Sequence, residues 1–306
     1  MKIQTIILMC LLTAIYPASA EDDKRPNIVI IVARELSRKD LSCYGGAHAS
    51  PSIDRLAKQG VRYETAWGML DAKLSRRTLL TGRYPCHDAA TPLFPILLEK
   101  AGYRVTTSAN DPAKSLSFIE QFKEDSPFLL LHLDDTEDLD VDRLVGKLVT
   151  SIDGKRLKDN TVIVVTSDHG GGDSKADIGA HIPFIVRAPF LTKGDRVSKD
   201  VIDLSDLFPT VLSLAGIDVP GDLKLDGRTM IPSLRGSDDP FEKRNWIYSE
   251  VGDFRMVRDW HHLVDTEGNF HDVENDPLQE KKVSPLDKQA PGRRKRLQMI
   301  LDRFSD

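Results

Sequence analysis

Residues 71–85 read DAKLSRRTLLTGRYP, with the hydroxyls of Ser75 and Thr78 beside the guanidinium groups of Arg76 and Arg77 and neither cysteine nor histidine in the run. A hydroxyl next to a fixed cation suits chemistry on an anionic ester: the oxygen attacks, and the guanidinium fork holds the anion. Such a hydroxyl needs a base, and His169, in Ser167-Asp168-His169-Gly170-Gly171-Gly172, is the candidate. Plainer roles compete at each position. Ser75 reads as a helix N-cap ahead of the Arg76 to Thr81 turn, His169 as a residue tying down a loop, and Arg76 as an ion-pair partner. His261-His262 is a poor metal pair, because neighbours on a strand point to opposite faces; one buried and one exposed ring is expected. The three glycines lack the Lys-Ser or Lys-Thr of a phosphate loop and read as tight backbone turns.

The elements that must carry these residues follow from periodicity. NIVIIVA (27–33), YRVTTS (103–108), PFLLLHL (127–133) and TVIVVT (161–166) are short apolar runs suited to strands buried on both faces, and PFIVRAP (183–189) is a further strand candidate. Between them, 52–59, 93–101 and 141–152 have helical spacing, with Leu144, Val145, Leu148, Val149 and Ile152 on one face of the last. The alternation predicts an α/β sandwich with a mostly parallel sheet, whose ligands bind beyond the carboxyl ends of the strands. Arg34-Glu35 after the first strand and Asp168-His169 after the strand at 161–166 therefore belong at one edge. A helix is expected at 204–215. Beyond about Leu225 the texture becomes that of an antiparallel meander (246–250, 254–258, 261–265 and 269–272), followed by an amphipathic helix at 293–304 with Leu297, Ile300, Leu301 and Phe304 on the face that docks.

With 306 residues, 40% hydrophobic and 29% charged, the chain is long enough for a large core, and its net charge of -5 gives no reason to expect nucleic acid or an anionic membrane as partner. Lys2, the apolar run Ile6 to Ile15 and the small-x-small Ala18-Ser19-Ala20 read as a signal peptide over residues 1–20, too short for a membrane span, so export is expected. The domains are then 21–225, the α/β unit, and 226–306, a small α+β unit. Cys43 and Cys86 are the cysteines left after position 20; whether they pair is open at this level.

Nine stretches in register across nearly the whole chain resemble the sulfatase family, within the alkaline-phosphatase-like fold: RPNIVIIVAREL (25–36), DLSCYGG (40–46), SPSIDRLAKQGVRYETAW (50–67), LSRRTLLTGRYP (74–85), AGYRV (101–105), DNTVIVVTSDHG (159–170), IPFIVRAP (182–189), DLFPTVLSLAGIDVP (206–220) and DVENDP (272–277). The resemblance implies a Ca²⁺ ion held by two acidic residues after the first strand and an Asp-His or Asp-Asn pair after a later one. It also implies a cysteine oxidised to formylglycine as nucleophile, with Lys and His residues around the sulfate.

Carried over residue by residue, the pattern keeps its frame and loses its chemistry. The first two acidic positions fall on Arg34 and Glu35, and only Asp168 and His169 match the later pair. The cysteine position falls on Ala72 and the proline position on Leu74, leaving Ser75 and Arg76 from that motif. Asn110-Asp111-Pro112 stands where the resemblance implies Lys-Trp-His, and Asp134-Asp135-Thr136-Glu137-Asp138 where it implies a His. Lys175 is the nearest match to the family's later lysine, at a different spacing. The segment between 112 and 127 looks too short for substrate-binding insertions.

Two hypotheses follow. In the first, the protein is an exported pseudo-sulfatase that binds an anionic, sulfated ligand or a partner protein: Ala72 marks the emptied nucleophile position, Arg34, Arg76 and Lys175 are the anion-binding candidates, and Arg34 pairs with Asp168 and Glu35 in place of a metal. No cofactor is expected, the partial Ca²⁺ set being Glu35, Asp168 and His169. In the second, the protein hydrolyses sulfuric or phosphoric esters with Ser75 or Thr78 as substitute nucleophile. Candidate partners are a sulfated glycan or another protein, without nucleic acid or membrane span.

Overall fold

Asn27–Ala33, an unbroken apolar run, forms strand β1 with all seven residues buried. Its side chains alternate between two hydrophobic layers: Ile28, Ile30 and Val32 enter one, Val29 and Ile31 the other. This two-residue period splits a continuous apolar run between both faces of a central sheet. The computed structural model describes residues 25–87, 91–123, 126–134, 140–171, 175–276, 279, 281–283 and 290–304. The expected signal peptide lies outside the described residues, as do Gly172, Pro277 and the acidic run from Asp135 to Asp138.

After β1 come α1 (Pro51–Lys58), β2 (Val61–Trp67), α2 (Ala72–Thr81), α3 (Phe94–Lys100), β3 (Arg104–Ala109), α4 (Pro112–Gln121), β4 (Phe128–Leu133), α5 (Val141–Gly154), β5 (Thr161–Ser167), α6 (Asp177–Ala180), β6 (Phe184–Arg187), β7 (Arg196–Asp203), α7 (Leu207–Leu214) and α8 (Ile231–Arg235). Seven strands form one sheet in the order β3-β4-β1-β5-β6-β2-β7. It is parallel except at β6, which runs antiparallel to both β5 and β2. β1 lies between β4 and β5, so their three carboxyl ends meet at one place on the edge.

A second sheet, β11-β10-β9-β8, is an antiparallel meander of β8 (Ile247–Val251), β9 (Phe254–Arg258), β10 (His262–Asp265) and β11 (Phe270–Asp272). Helix α9 (Ala290–Leu301), continued by a 3₁₀ turn to Phe304, rests on β9 and β10, and Leu297, Ile300, Leu301 and Phe304 are all buried. The second sheet shares a core with the first: Trp67, Ala180 and Val201 pack with Ile247, Met256 and Leu263.

Several elements differ from the sequence expectation. β2 and β7 were not anticipated, because Arg62, Glu64, Lys199 and Asp200 interrupt their apolar alternation. The segment after 112 holds a ten-residue helix, begun by Pro112 and capped by Asp111, whose side chain accepts from the Lys114 N–H at 2.9 Å. The helix expected at 204–215 is split into a 3₁₀ turn at 204–206 and α7. Cys43 and Cys86 are both free, packed in different clusters.

Candidate functional site

The site forms where β1, β4 and β5 end. At the end of β1 the backbone turns sharply: Glu35 has φ 50°, in the left-handed region that side chains other than glycine seldom adopt. This turn aims the Glu35 N–H at Asp168, whose Oδ1 accepts it at 3.0 Å. Asp168 follows β5, is fully buried, and is itself held by its N–H donating to the Ala33 carbonyl at 3.0 Å. Gly68, after β2, packs on the Asp168 carbonyl so closely that a Cβ there would lie 2.3 Å from the oxygen, so only glycine fits.

Helix α2 brings the guanidinium. Asp71 is its N-cap, accepting from the Leu74 N–H at 2.9 Å. Ser75, expected at the cap, is one turn further in; its hydroxyl accepts from the Met69 N–H at 2.8 Å and reaches the Met69 carbonyl at 3.2 Å. It pins the first turn of α2 to the 68–69 loop. One turn of helix thus leaves Arg76 directed at the strand ends, where its Nη2 donates to Asp168 Oδ2 at 2.9 Å and to the Asp134 carbonyl, just past β4, at 2.6 Å.

The pairing with Asp168 therefore belongs to Arg76, not to Arg34 as expected. Arg34 forms its ion pair with Glu35, Nε to Oε1 at 3.4 Å, both side chains more than a third exposed. The physical reason lies in origin: Arg34 continues β1 toward solvent, whereas α2 lies across the sheet edge. His169 Nδ1 sits 2.8 Å from Asp168 Oδ1, and its Nε2 lies 3.7 Å from Glu35 Oε1.

Charge states follow from these contacts. Burial pushes the Asp168 carboxyl up, but the hydrogen bonds from His169 and the Glu35 N–H, with the charges of His169 and Arg76, outweigh it and hold the group below the usual carboxylate range. The hydrogen bond to Asp168 raises His169 above the ordinary imidazole value against the opposing effect of burial, and the charges of Asp168, Glu35 and Asp71 add to it. Both shifts favour the charged forms.

A calcium ion takes six to eight oxygen ligands from an electronegative cage, and the residues here do not fit one. Arg34 puts a cation at the end of β1, and Asp168 has both oxygens committed to the chain's own donors. Among the described residues no trio of His, Cys, Asp or Glu is arranged to hold a metal.

The three positions weighed for a nucleophile can each be placed. Ala72, the first residue of α2, is half-buried and carries a methyl group. Ser75 and Thr78 are fully buried, and the Thr78 Oγ1 has no hydrogen-bond partner to act as base. Lys175 lies away from the carboxylates, exposed, its Nζ 5.4 Å from the Phe254 ring centre. Of the residues singled out by sequence, the fold brings together Arg34, Glu35, Arg76, Asp168 and His169, and leaves out Ser75, Thr78 and Lys175. His262 is buried and His261 exposed, as strand alternation requires, with His261 against Glu274 at 2.5 Å. Gly170 and Gly171 make tight turns: a Cβ on Gly170 would meet the Ile178 carbonyl at 2.1 Å, and Gly171 has φ 89°.

Sequence reasoning missed the Asp134 carbonyl, Gly68 and a second buried charge cluster. In that cluster Asp177 accepts from Trp67 Nε1 at 2.8 Å and Arg258 Nη1 at 2.6 Å, with His181 Nδ1 at 3.1 Å. The signal for it was faint: a Trp, an Arg and a His each in a different element, with no shared spacing.

A family model described as Sulfatase matches residues 26–128 and 132–217. Among curated proteins, the chain is 23% identical over 330 residues to an ulvan-active sulfatase of Formosa agariphila, covering 79% of this chain and 66% of that one. It is 27% identical over 213 residues to arylsulfatase D of Homo sapiens, covering 55% and 34%. The chain thus spans less than two thirds of the length of these relatives. A structure solved in complex with its substrate D-glucosamine-2-N,6-O-disulfate superposes with a TM-score of 0.81 at 17% identity, covering 92% of this chain and 97% of that one. A 2-O GAG sulfatase superposes at 0.79 and 16%, covering 92% and 93%. At such identities the two structures speak to the fold.

Proposed function

We propose a function from one premise: the chain belongs to the sulfatase family. Within it, this protein is a non-hydrolytic member that binds a sulfated ligand at the ends of β1, β4 and β5 and leaves the ester intact. The observation that carries the reading is the commitment of Asp168, whose two oxygens take the Glu35 N–H, His169 and Arg76. In-line attack on a sulfate ester needs charge neutralisation at the sulfate oxygens and a deprotonated nucleophile. Here an organic cation stands on the carboxylate that would serve a metal, and the nucleophile position is Ala72.

A substitute nucleophile gains no support from the geometry. Attack by Ser75 would break its two contacts to Met69 and expose a hydroxyl that is 0% accessible, and Thr78 is equally enclosed. The mouth of the site holds the Arg34 guanidinium, ion-paired with Glu35, and the His169 ring beside the same carboxylate, so a sulfate that displaces Glu35 would meet both. Several relatives are named for sulfated sugars, among them an N-acetylgalactosamine-6-O-sulfatase of Bacteroides thetaiotaomicron, 42% identical over 79 residues. A sulfated glycan is accordingly the ligand class, and the leader expected at residues 1–20 supports an encounter outside the cytoplasm. No helix among the described residues is long and apolar enough to cross a membrane.

The test is a paired measurement on the purified protein. Aryl sulfate and aryl phosphate, with and without Ca²⁺, Mg²⁺ or Zn²⁺, are expected to give no turnover and no metal-dependent rise in melting temperature. Titration calorimetry with D-glucosamine 6-sulfate is expected to show binding that weakens in Arg34→Ala. Turnover that disappears in Ser75→Ala overturns the reading.

A further inference from the structure

The chain carries a net charge of -5, yet its C-terminal helix carries Arg293, Arg294, Lys295 and Arg296 in a row and ends beside Arg303. Docking of α9 on the second sheet consumes one stripe, the buried Leu297, Ile300, Leu301 and Phe304. A neighbouring stripe stays outside. Lys295, Arg296, Met299 and Arg303, spaced one helical turn apart, line an open groove of about 410 Å³ whose opposite wall is Asn245 and Trp246.

The groove has three properties at once. It is cationic: Lys295 and Arg303 have no salt-bridge partner among the described residues, and Arg296, itself 47% exposed, pairs with Asp259. It is long, because seven residues from Arg296 to Arg303 rise about 10 Å, enough to meet successive anionic groups on an extended polymer. Its far wall is an aromatic ring in a fixed position: Trp246 is half-buried, 5.9 Å from the Phe304 ring centre and with the Arg244 guanidinium 5.6 Å from its own. A rigid aromatic face presents apolar area without ordering cost and beside it the Asn245 amide offers both donor and acceptor. A sugar ring, with one apolar face and hydroxyl edges, matches this wall.

We infer that the groove between α9 and Trp246 is a binding site for a linear sulfated polysaccharide, separate from the strand-end site. The inference does not need that site to bind anything. A membrane surface fits less well, since the apolar stripe that would enter a bilayer is already buried in the protein.

The experiment measures binding of the whole chain to dextran sulfate, unsulfated dextran, polyglutamate and phosphatidylglycerol vesicles, across a salt series. The expected order places dextran sulfate well above the other three. Lys295→Glu with Arg303→Glu, both at exposed positions, is expected to weaken dextran sulfate binding about tenfold and flatten its salt dependence, while leaving D-glucosamine 6-sulfate binding at the strand ends unchanged. Equal affinity for polyglutamate or vesicles overturns the sugar specificity. Dextran sulfate binding that survives the double variant, or that is lost in Arg34→Ala instead, overturns the site. Loss of the monosaccharide alone in Arg34→Ala bears on the strand-end reading and not on this one.

Discussion

Two of the guanidinium–carboxylate centres at strand ends, those of Arg244 and Arg76, differ in what surrounds them. At the end of β7, Arg244 is enclosed by Asp203 at 3.3 Å, Asp206 at 2.6 Å and the Tyr84 hydroxyl at 2.9 Å, all of them nearly inaccessible. At the end of β5, Arg76 pairs with Asp168, and the ensemble reaches solvent through Arg34 and Glu35, both more than a third exposed. The sealed centre ties the stretch around residue 244 to the large sheet. The open one has the same bond between the same groups but keeps a mouth, and that mouth is what distinguishes it from a structural lock. Burial of an ion pair by itself carries no functional information.

The contrast can be broken most forcefully at Arg244. Arg244→Met leaves Asp203 and Asp206 buried together without their cation, and a loss of about 3–5 kcal/mol in chemical denaturation is expected. Arg76→Met should cost less, about 2 kcal/mol, because Asp168 keeps the Glu35 N–H and His169. A larger loss at Arg76 than at Arg244 would remove the distinction between the sealed lock and the open centre.

Dependence on pH separates the centres by sign. Burial, with the like charge of Asp203 and against the charge of Arg244, pushes Asp206 up to about 6. The folded protein therefore holds that proton more tightly than the unfolded chain does. Its contribution is present below the ordinary value of 3.8 and lost as pH rises through about 6, so the stability difference between the natural protein and Asp206→Asn shrinks over that window. Asp168 is shifted the other way, and its contribution is present above 3.8 and lost as pH falls through its lower folded value. The difference between the natural protein and Asp168→Asn thus grows with pH in the acid range. Urea unfolding at a series of pH values reads both slopes. Smallest of all is Arg34→Ala, expected to change stability by less than about 1 kcal/mol, its ion pair being exposed, while weakening sulfated-ligand binding.

Much of the fold was legible because its central strands are apolar throughout: β1, β4 and β5 announce themselves in 27–33, 127–133 and 161–166. β2 and β7 were not, since a strand toward the edge of the sheet tolerates Arg62, Glu64, Lys199 and Asp200, and alternation is then lost in charge. The site was legible as a set of positions. Arg34, Glu35, Arg76, Asp168 and His169 do converge, because strand-end residues of adjacent parallel strands must share an edge. Which arginine meets Asp168 was not, for it depends on how α2 is anchored through Ser75 and Asp71, and on the close approach that Gly68 permits. Those are packing facts without a local sequence signal. The cluster of Asp177 with Trp67, Arg258 and His181 was hidden for the same reason.

The two free cysteines bear on how this molecule can be studied. Burial pushes the Cys43 thiol up to about 12 and the Cys86 thiol up to about 11, so neither offers much thiolate at neutral pH. A thiol introduced as Ala72→Cys would stand half-exposed on the first turn of α2, where the helix N-terminus favours the anion. In a chain that begins at residue 21, one fluorophore or spin probe placed there reports on the first turn of α2 without removal of Cys43 or Cys86.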